Sequence, residues 1–367
     1  MSIATSQESS KQATPCGAWT SPITAAVVAA GAVPLSQVML DGQQLAWLEG
    51  RASESGRTTL MLHDAGGTRE LTPAPFNVRT RVHEYGGGAC LLADGDVWFS
   101  HHVDNRLYSI PAGGEPTAVT LDGTRRFADF VLDRARRRLV AVREDHSSGA
   151  TYPTNTLCAV GFDGAETVLV EGNDFYAAPR LSPDGRQLAW LCWDHPRMPW
   201  VGTELWLADV RDDGTLANGR LVAGGPQESI CQPEWSPGGM LHFVSDRSGW
   251  WNLYRFGHGV VEPLCPRAAE FGSPHWAFGG SLYGFRSDDE IICAYIENGV
   301  SYLARLSTRD GSLLPIETAY EEIRDLRVQG DIVAFLGGAP TIAPELVRID
   351  LLGDANEVLA HSIPQPP

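Results

Sequence analysis

Lysine is almost missing from this chain of 367 residues: Lys11 is the single lysine, and every other one of its 28 basic residues is arginine. That bias reads as genome composition rather than chemistry, because either cation keeps an acidic protein soluble. Basic residues are scarce as a class. Set against 45 acids they leave a formal charge of −17, which excludes nucleic acid and anionic membrane as partners, since both need a basic surface that releases counterions. Cysteine is present seven times (Cys16, Cys90, Cys158, Cys192, Cys231, Cys265, Cys293), an odd number with no C-x-x-C pair, so neither a disulfide framework nor a zinc knuckle is expected. Cys90, Cys158, Cys192 and Cys293 sit in apolar runs and read as buried reduced thiols.

Long apolar runs are also missing. The one suspicious stretch, Ile23 to Leu35, is too short to span a bilayer and lacks the order of segments of a signal peptide; a short helix after Ser21-Pro22 explains it. A soluble, cytoplasmic protein is the expectation. There is no G-x-S-x-G nucleophile elbow: the nearest approach, Gly279-Gly280-Ser281-Leu282-Tyr283, lacks the second glycine. The histidines show no H-x-x-x-H or H-E-x-x-H spacing, and Asp209 to Gly214 lacks the closing glutamate of a calcium loop. No catalytic residue, metal or cofactor is assigned.

What is there is a repeat. A tight-turn dipeptide followed by a short apolar strand recurs at Asp41-Gly42, Asp94-Gly95, Asp133-Arg134, Asp184-Gly185, Gly238-Gly239, Gly279-Gly280 and Gln329-Gly330, a mean spacing of about 48 residues. A second strand built around a leucine follows in each unit, as in Asn105-Arg106-Leu107-Tyr108 and Trp251-Asn252-Leu253-Tyr254, with a further turn and strand beyond most of them. Only Ile23 to Ala32 and Tyr320 to Leu326 show helical periodicity. The pattern predicts an all-β, seven-bladed β-propeller of four-stranded antiparallel blades over residues 19–362, with a polar tail at 1–18 and a linker stub at 363–367.

The densest polar constellation is Asn77 to Gly88. If Arg79 to Tyr85 is extended, Arg79, Arg81, His83 and Tyr85 share one side and Thr80, Val82 and Glu84 the other. Three glycines after it permit close backbone approach or positive φ. One reading is an anchoring site, with Arg81 for a carboxylate or carbonyl and Glu84 for an ammonium; the other is an inter-blade network in which arginine and glutamate satisfy each other. Arg143-Glu144-Asp145-His146 ends the third unit's apolar strand with two adjacent acids, and Glu144 and Asp145 complete the candidate substrate-binding set unless they belong to a solvated loop. Tryptophans concentrate in units four and five, where Trp193 and Trp200, flanked by Pro196 and Pro199, are candidates to line a ligand opening.

With those residues in hand, the chain resembles the N-terminal propeller of the prolyl oligopeptidase family of serine peptidases, near its acylaminoacyl-peptidase and aminopeptidase branch. The resemblance is carried by Trp19 to Thr24, Trp47 to Arg51, Arg81 to Gly88, Arg143 to His146, Ser182-Pro183-Asp184-Gly185 and Asp246 to Trp250. It implies a propeller that covers the active site of an α/β-hydrolase domain, present in the same chain or supplied in trans, and that admits short peptides while excluding folded proteins. Without that domain the chain carries no serine nucleophile and is expected to be inactive by itself, with an exposed apolar patch where the domain packs. The alternative is a stand-alone TolB-like interaction propeller.

Overall fold

The computed structural model describes residues 13–21, 24, 25, 31–353 and 356–363. The expected helix after Pro22 and the tips of both tails fall mostly outside the described residues. Tyr320 to Leu326, the other stretch with helical spacing, contributes to a strand, Glu322–Gln329.

Twenty-eight strands among the described residues form seven four-stranded sheets, each antiparallel and each made of strands consecutive in sequence. The first strands of the blades are β1 (Leu35–Asp41), β5 (Cys90–Ala93), β9 (Arg125–Asp133), β13 (Phe175–Leu181), β17 (Ile230–Trp235), β21 (Tyr283–Phe285) and β25 (Glu322–Gln329). Middle strands are apolar in unbroken runs, such as Leu45 to Leu48 and Leu188 to Trp193, because neighbouring blades bury both of their faces. Outer strands are short or polar; Gly67–Glu70 is half-buried to exposed throughout.

The dipeptide repeat marks the hairpin between first and second strands in six blades, with glycine in the left-handed position at Gly42, Gly95, Gly185, Gly239 and Gly330. In blade six it marks something else. Gly279-Gly280 precedes the first strand, and the hairpin itself is formed by residues 286–289, which contain no glycine. That blade's first strand is the shortest of the seven at three residues, and the repeat spacing survived only because a glycine pair lies just upstream.

Each pair of neighbouring blades shares one apolar cluster, seven in all. Blades one and seven share no strand: they meet through Leu35, Val38, Leu45, Trp47, Ala334, Leu336 and Leu346. Among the described residues, four polar contacts cross the same seam: the Gln37 N–H donates to Asp325 (2.9 Å), the Gly42 N–H to Gln329 (2.6 Å), Arg348 to Gln43 (2.8 Å) and the Val33 N–H to Ser362 O (2.6 Å).

Around the axis, five first strands carry a bulge with a left-handed, non-glycine residue: Gln37, Asp129, Ala178, Gln232 and Asp325. These side chains hand hydrogen bonds from blade to blade. Gln37 accepts the Ala89 N–H (2.9 Å), Asp129 the Ala178 N–H (2.6 Å) and Gln232 the Leu282 N–H (2.8 Å). Ala178 has nothing to pass on, and there Arg180 takes over by bridging Asp129 (3.2 Å) and Glu234 (3.0 Å).

Candidate functional site

Two connections between blades are long, residues 71–89 and 264–282, where the comparable ones elsewhere run to four to six residues. They meet across the axis. The Phe278 N–H donates to Gly86 O (2.9 Å), Gly87 and Phe278 form a parallel bridge, and the Tyr85 and Trp276 rings meet edge-on with their centroids 5.4 Å apart. Glycine is required at this clasp on two counts. Gly86, Gly87 and Gly88 all have positive φ (+68°, +85° and +52°), and a Cβ on Gly87 would sit 2.4 Å from Phe278 O. On one side of the clasp lies a cavity of about 1280 Å³, on the other one of about 490 Å³, and both are bounded by Gln37, Asp129, Arg180 and Gly279 to Ser281.

The larger cavity opens on the face that carries the inter-blade connections and the loops between second and third strands. Both described ends of the propeller lie on that face, where the Val33 N–H donates to Ser362 O (2.6 Å). Its rim is largely aromatic and exposed: Tyr85, Tyr152 and Trp276, with Met198 beside them, are all at least two-fifths exposed.

Asn77 to Gly88 is not extended through its length, so the expected alternation of faces does not hold. The chain runs beside the second blade as far as Arg79, whose N–H donates to Ser100 O (3.1 Å), and then turns. The Glu84 N–H reaches Arg81 O and the Gly86 N–H reaches Val82 O, with His83 and Glu84 both left-handed (φ +54° and +66°). Two consecutive left-handed residues swing His83 inward, against Phe278 (4.9 Å), Phe175 (5.0 Å) and Trp193 (5.7 Å), while Val82 is fully buried.

The candidate residues therefore separate. Arg79, His83, Glu84, Tyr85 and Glu144 line the cavity; Arg81 and Asp145 do not. Arg81 is turned to Glu84 (2.7 Å), whose side chain is two-thirds exposed and lies 3.9 Å from Arg126. The Arg81 guanidinium beside Glu84 holds that carboxyl below its ordinary range. Arg79 is exposed on the wall and makes no ion pair among the described residues.

Glu144 is buried and fully engaged. It accepts the His83 backbone N–H (3.1 Å) and Arg126 (3.0 Å), and His146 Nε2 lies 2.8 Å from it, so its work is to hold the turn. Asp145 alternates to the opposite side of the strand Arg138–Asp145. Burial there favours its neutral form, but bonds from Ser147 (2.9 Å) and Arg125 (3.2 Å) outweigh that and bring its pKa to about 2.

Trp193 and Trp200 both line the cavity as expected, Trp200 packing on Trp276 at 4.1 Å. The sequence reading missed His275, Trp276 and Phe278. Their signal was the 264–282 segment itself, glycine-rich, aromatic and without strand alternation between two blades. Of the seven cysteines, Cys90, Cys158, Cys192, Cys231 and Cys293 are buried, none is paired, and burial raises all five thiols. Among the described residues no helix is long and apolar enough to cross a membrane.

No family model matches the chain, and no curated protein does. Solved structures do. A puromycin hydrolase is 35% identical, with a TM-score of 0.88 over 96% of this chain. A puromycin-hydrolyzing peptidase of Mycobacterium tuberculosis is 34% identical, with a TM-score of 0.89 over 97%. Prolyl oligopeptidase B of Galerina marginata shares the fold at 11% identity and a TM-score of 0.66 over 92%. The chain spans 57% of the length of that puromycin hydrolase, 58% of the mycobacterial peptidase and 52% of the oligopeptidase.

Proposed function

Since the chain fits the N-terminal seven-bladed propeller of the prolyl oligopeptidase family, we propose that it is the non-catalytic, substrate-gating part of a serine peptidase that acts on short peptides or aminoacyl amides. The cavity face packs over an α/β-hydrolase domain, in the same polypeptide or another, which supplies the nucleophile. The observation that carries this reading is the cavity of about 1280 Å³ with its exposed aromatic rim, opening on the face where both described ends lie. An apolar rim of that kind is the mark of a surface that a partner covers. The similarity to a puromycin hydrolase and a puromycin-hydrolyzing peptidase supports a hydrolytic partner domain.

Within the cavity, Glu84 is a better candidate than Glu144 for a ligand's ammonium group, because Glu144 is buried and already engaged by Arg126, His146 and the His83 N–H. Arg79, free of ion pairs, is better placed than Arg81 for a carbonyl or carboxylate. Shape supports the gating part of this reading: the clasp closes the axis behind the cavity, which suits a chain end better than a folded domain. The test is to mix the chain with a separately expressed hydrolase domain of a puromycin hydrolase and follow aminoacyl-amide cleavage. A gain in turnover, reduced by Glu84→Gln, is the expected result; unchanged turnover overturns the reading.

A further inference from the structure

The first strands repeat one register around the axis. The residue two places beyond each left-handed bulge (Met39, Val131, Arg180, Glu234 and Arg327) lines the smaller cavity, at the hairpin end. Arg180 is engaged there by Asp129 (3.2 Å) and Glu234 (3.0 Å). Arg327 has no carboxylate in contact among the described residues. Its Nη1 donates to Leu326 O (2.9 Å) and its Nη2 to Gly279 O (2.6 Å), which leaves the Nε–H and one N–H on each terminal nitrogen unused. Burial disfavours the charge on both arginines. At Arg180 the carboxylates of Glu234 and Asp129 outweigh it; at Arg327 the acids around it do not, so that guanidinium is held below its ordinary pKa.

The opposite imbalance lies beside it. Asp129, Arg180 and Glu234 together carry one negative charge, and Glu234 is bonded through Oε1 alone. Glu234 Oε2 and Arg327 Nε both have accessible surface and no hydrogen-bond partner among the described residues. The cavity therefore offers an unmatched cation and an unmatched carboxylate oxygen, with Trp235 and Phe285 as apolar wall. A bare anion would satisfy Arg327 but leave a net negative cavity in a chain already at −17, and a bare amine would leave the guanidinium unpaired. We infer that the smaller cavity is a site for a small zwitterion, an amino acid or short peptide with both ends free, whose carboxylate takes the unused N–H donors of Arg327 and whose ammonium takes Glu234 Oε2. Its volume of about 490 Å³ lies within the roughly 300–1,000 Å³ of small-molecule sites. The site needs nothing from a hydrolase domain and lies across the clasp from the cavity that Glu84 lines.

The test is calorimetric titration of the whole chain at neutral pH with L-alanyl-L-leucine, N-acetyl-L-alanyl-L-leucine and L-alanyl-L-leucinamide. The free dipeptide is expected to bind about tenfold tighter than either capped form, because each cap removes one charge-assisted contact. Arg327→Gln should erase the preference over the amide. Glu234→Gln, which keeps an acceptor for Arg180, should erase the preference over the acetylated form, and decides the matter with the unsubstituted chain if Arg327→Gln does not fold. Glu84→Gln should leave the free dipeptide's affinity within about twofold. Equal binding of the three probes, no saturable binding, or preferences that survive both Arg327→Gln and Glu234→Gln overturn the proposal. So does loss of dipeptide binding in Glu84→Gln with none in Glu234→Gln, which would place the ligand in the larger cavity.

Discussion

The two ends of the propeller axis are built on different principles. At one end the chain turns back through hairpins between first and second strands, and the same short device is used in nearly every blade. At the other end it crosses from blade to blade, and two of those crossings, 71–89 and 264–282, are long and unlike each other. The hairpin end encloses the smaller cavity and is held by charge, Arg180 between Asp129 and Glu234. The crossing end holds the larger cavity and is closed by backbone contact and aromatic rings. Repetition makes a scaffold, and departure from it makes a site.

The comparison breaks most severely at Arg180. Replacing it by methionine leaves Asp129 and Glu234 facing each other at the point where the ring of blade-to-blade bonds already lacks a side chain, at Ala178. Loss of the shared cation from an enclosed pair costs about 3–5 kcal/mol, to be read from the midpoint of chemical denaturation. A second contrast isolates the clasp. Gly87 and Gly185 are both left-handed (φ +85° and +68°), but a Cβ on Gly87 meets Phe278 O at 2.4 Å whereas one on Gly185 meets nothing within 4 Å. Gly185→Ala should cost about 1 kcal/mol from backbone strain alone, and Gly87→Ala about 3 kcal/mol, with faster hydrogen exchange at the Phe278 amide. Equal costs would show that the clasp contributes no stability.

Acid separates the ends less. His83 and His275 at the crossing end, and His242 at the hairpin end, are neutral in the folded chain, burial holding them at about 3, 4 and 4. In the unfolded chain they titrate near 6.5, so the unfolded state takes up protons first. Stability is full above about pH 7 and falls as pH drops toward 4, by up to about 2 kcal/mol for each imidazole at pH 5. His275→Leu and His242→Leu should each flatten that slope by a similar amount in denaturation series run from pH 7 to pH 5.

What was legible in the sequence follows the same division. Blade number, strand order and the buried cysteines could be read because hairpin chemistry and two-sided burial leave local signatures, and the error at Gly279-Gly280 fell in one of the two blades whose first hairpin lacks glycine, the other being blade three, where Asp133-Arg134 still marked the turn. The site was legible in composition and not in shape. Arg79, Glu84 and Glu144 were picked out as polar residues in an odd setting, and the three glycines were read correctly as permitting close approach. Nothing local announces that His83 and Glu84 are left-handed, since the partners that hold this turn lie far along the chain, Glu144 on the His83 N–H and Phe278 on Gly86 O. Asp145 was grouped with Glu144 by adjacency, although neighbours on a strand point to opposite faces.

The smallest expected effect tests which carboxylate of the cavity is free to bind. Glu144 is buried against Arg126, His146 and the His83 N–H, so Glu144→Gln trades a charged acceptor for a weaker one and should cost about 1–2 kcal/mol in thermal or chemical denaturation. Glu84 stands two-thirds exposed beside Arg81, and solvent screens that pair, so Glu84→Gln should change stability by less than about 0.5 kcal/mol. Ligand binding should rank them differently: removing the Glu84 charge weakens an amine-bearing amide and leaves its N-acetylated form unchanged. If Glu84→Gln instead destabilises the fold as much as Glu144→Gln, the exposed carboxylate is part of the scaffold and the ammonium site must be sought elsewhere on the crossing end.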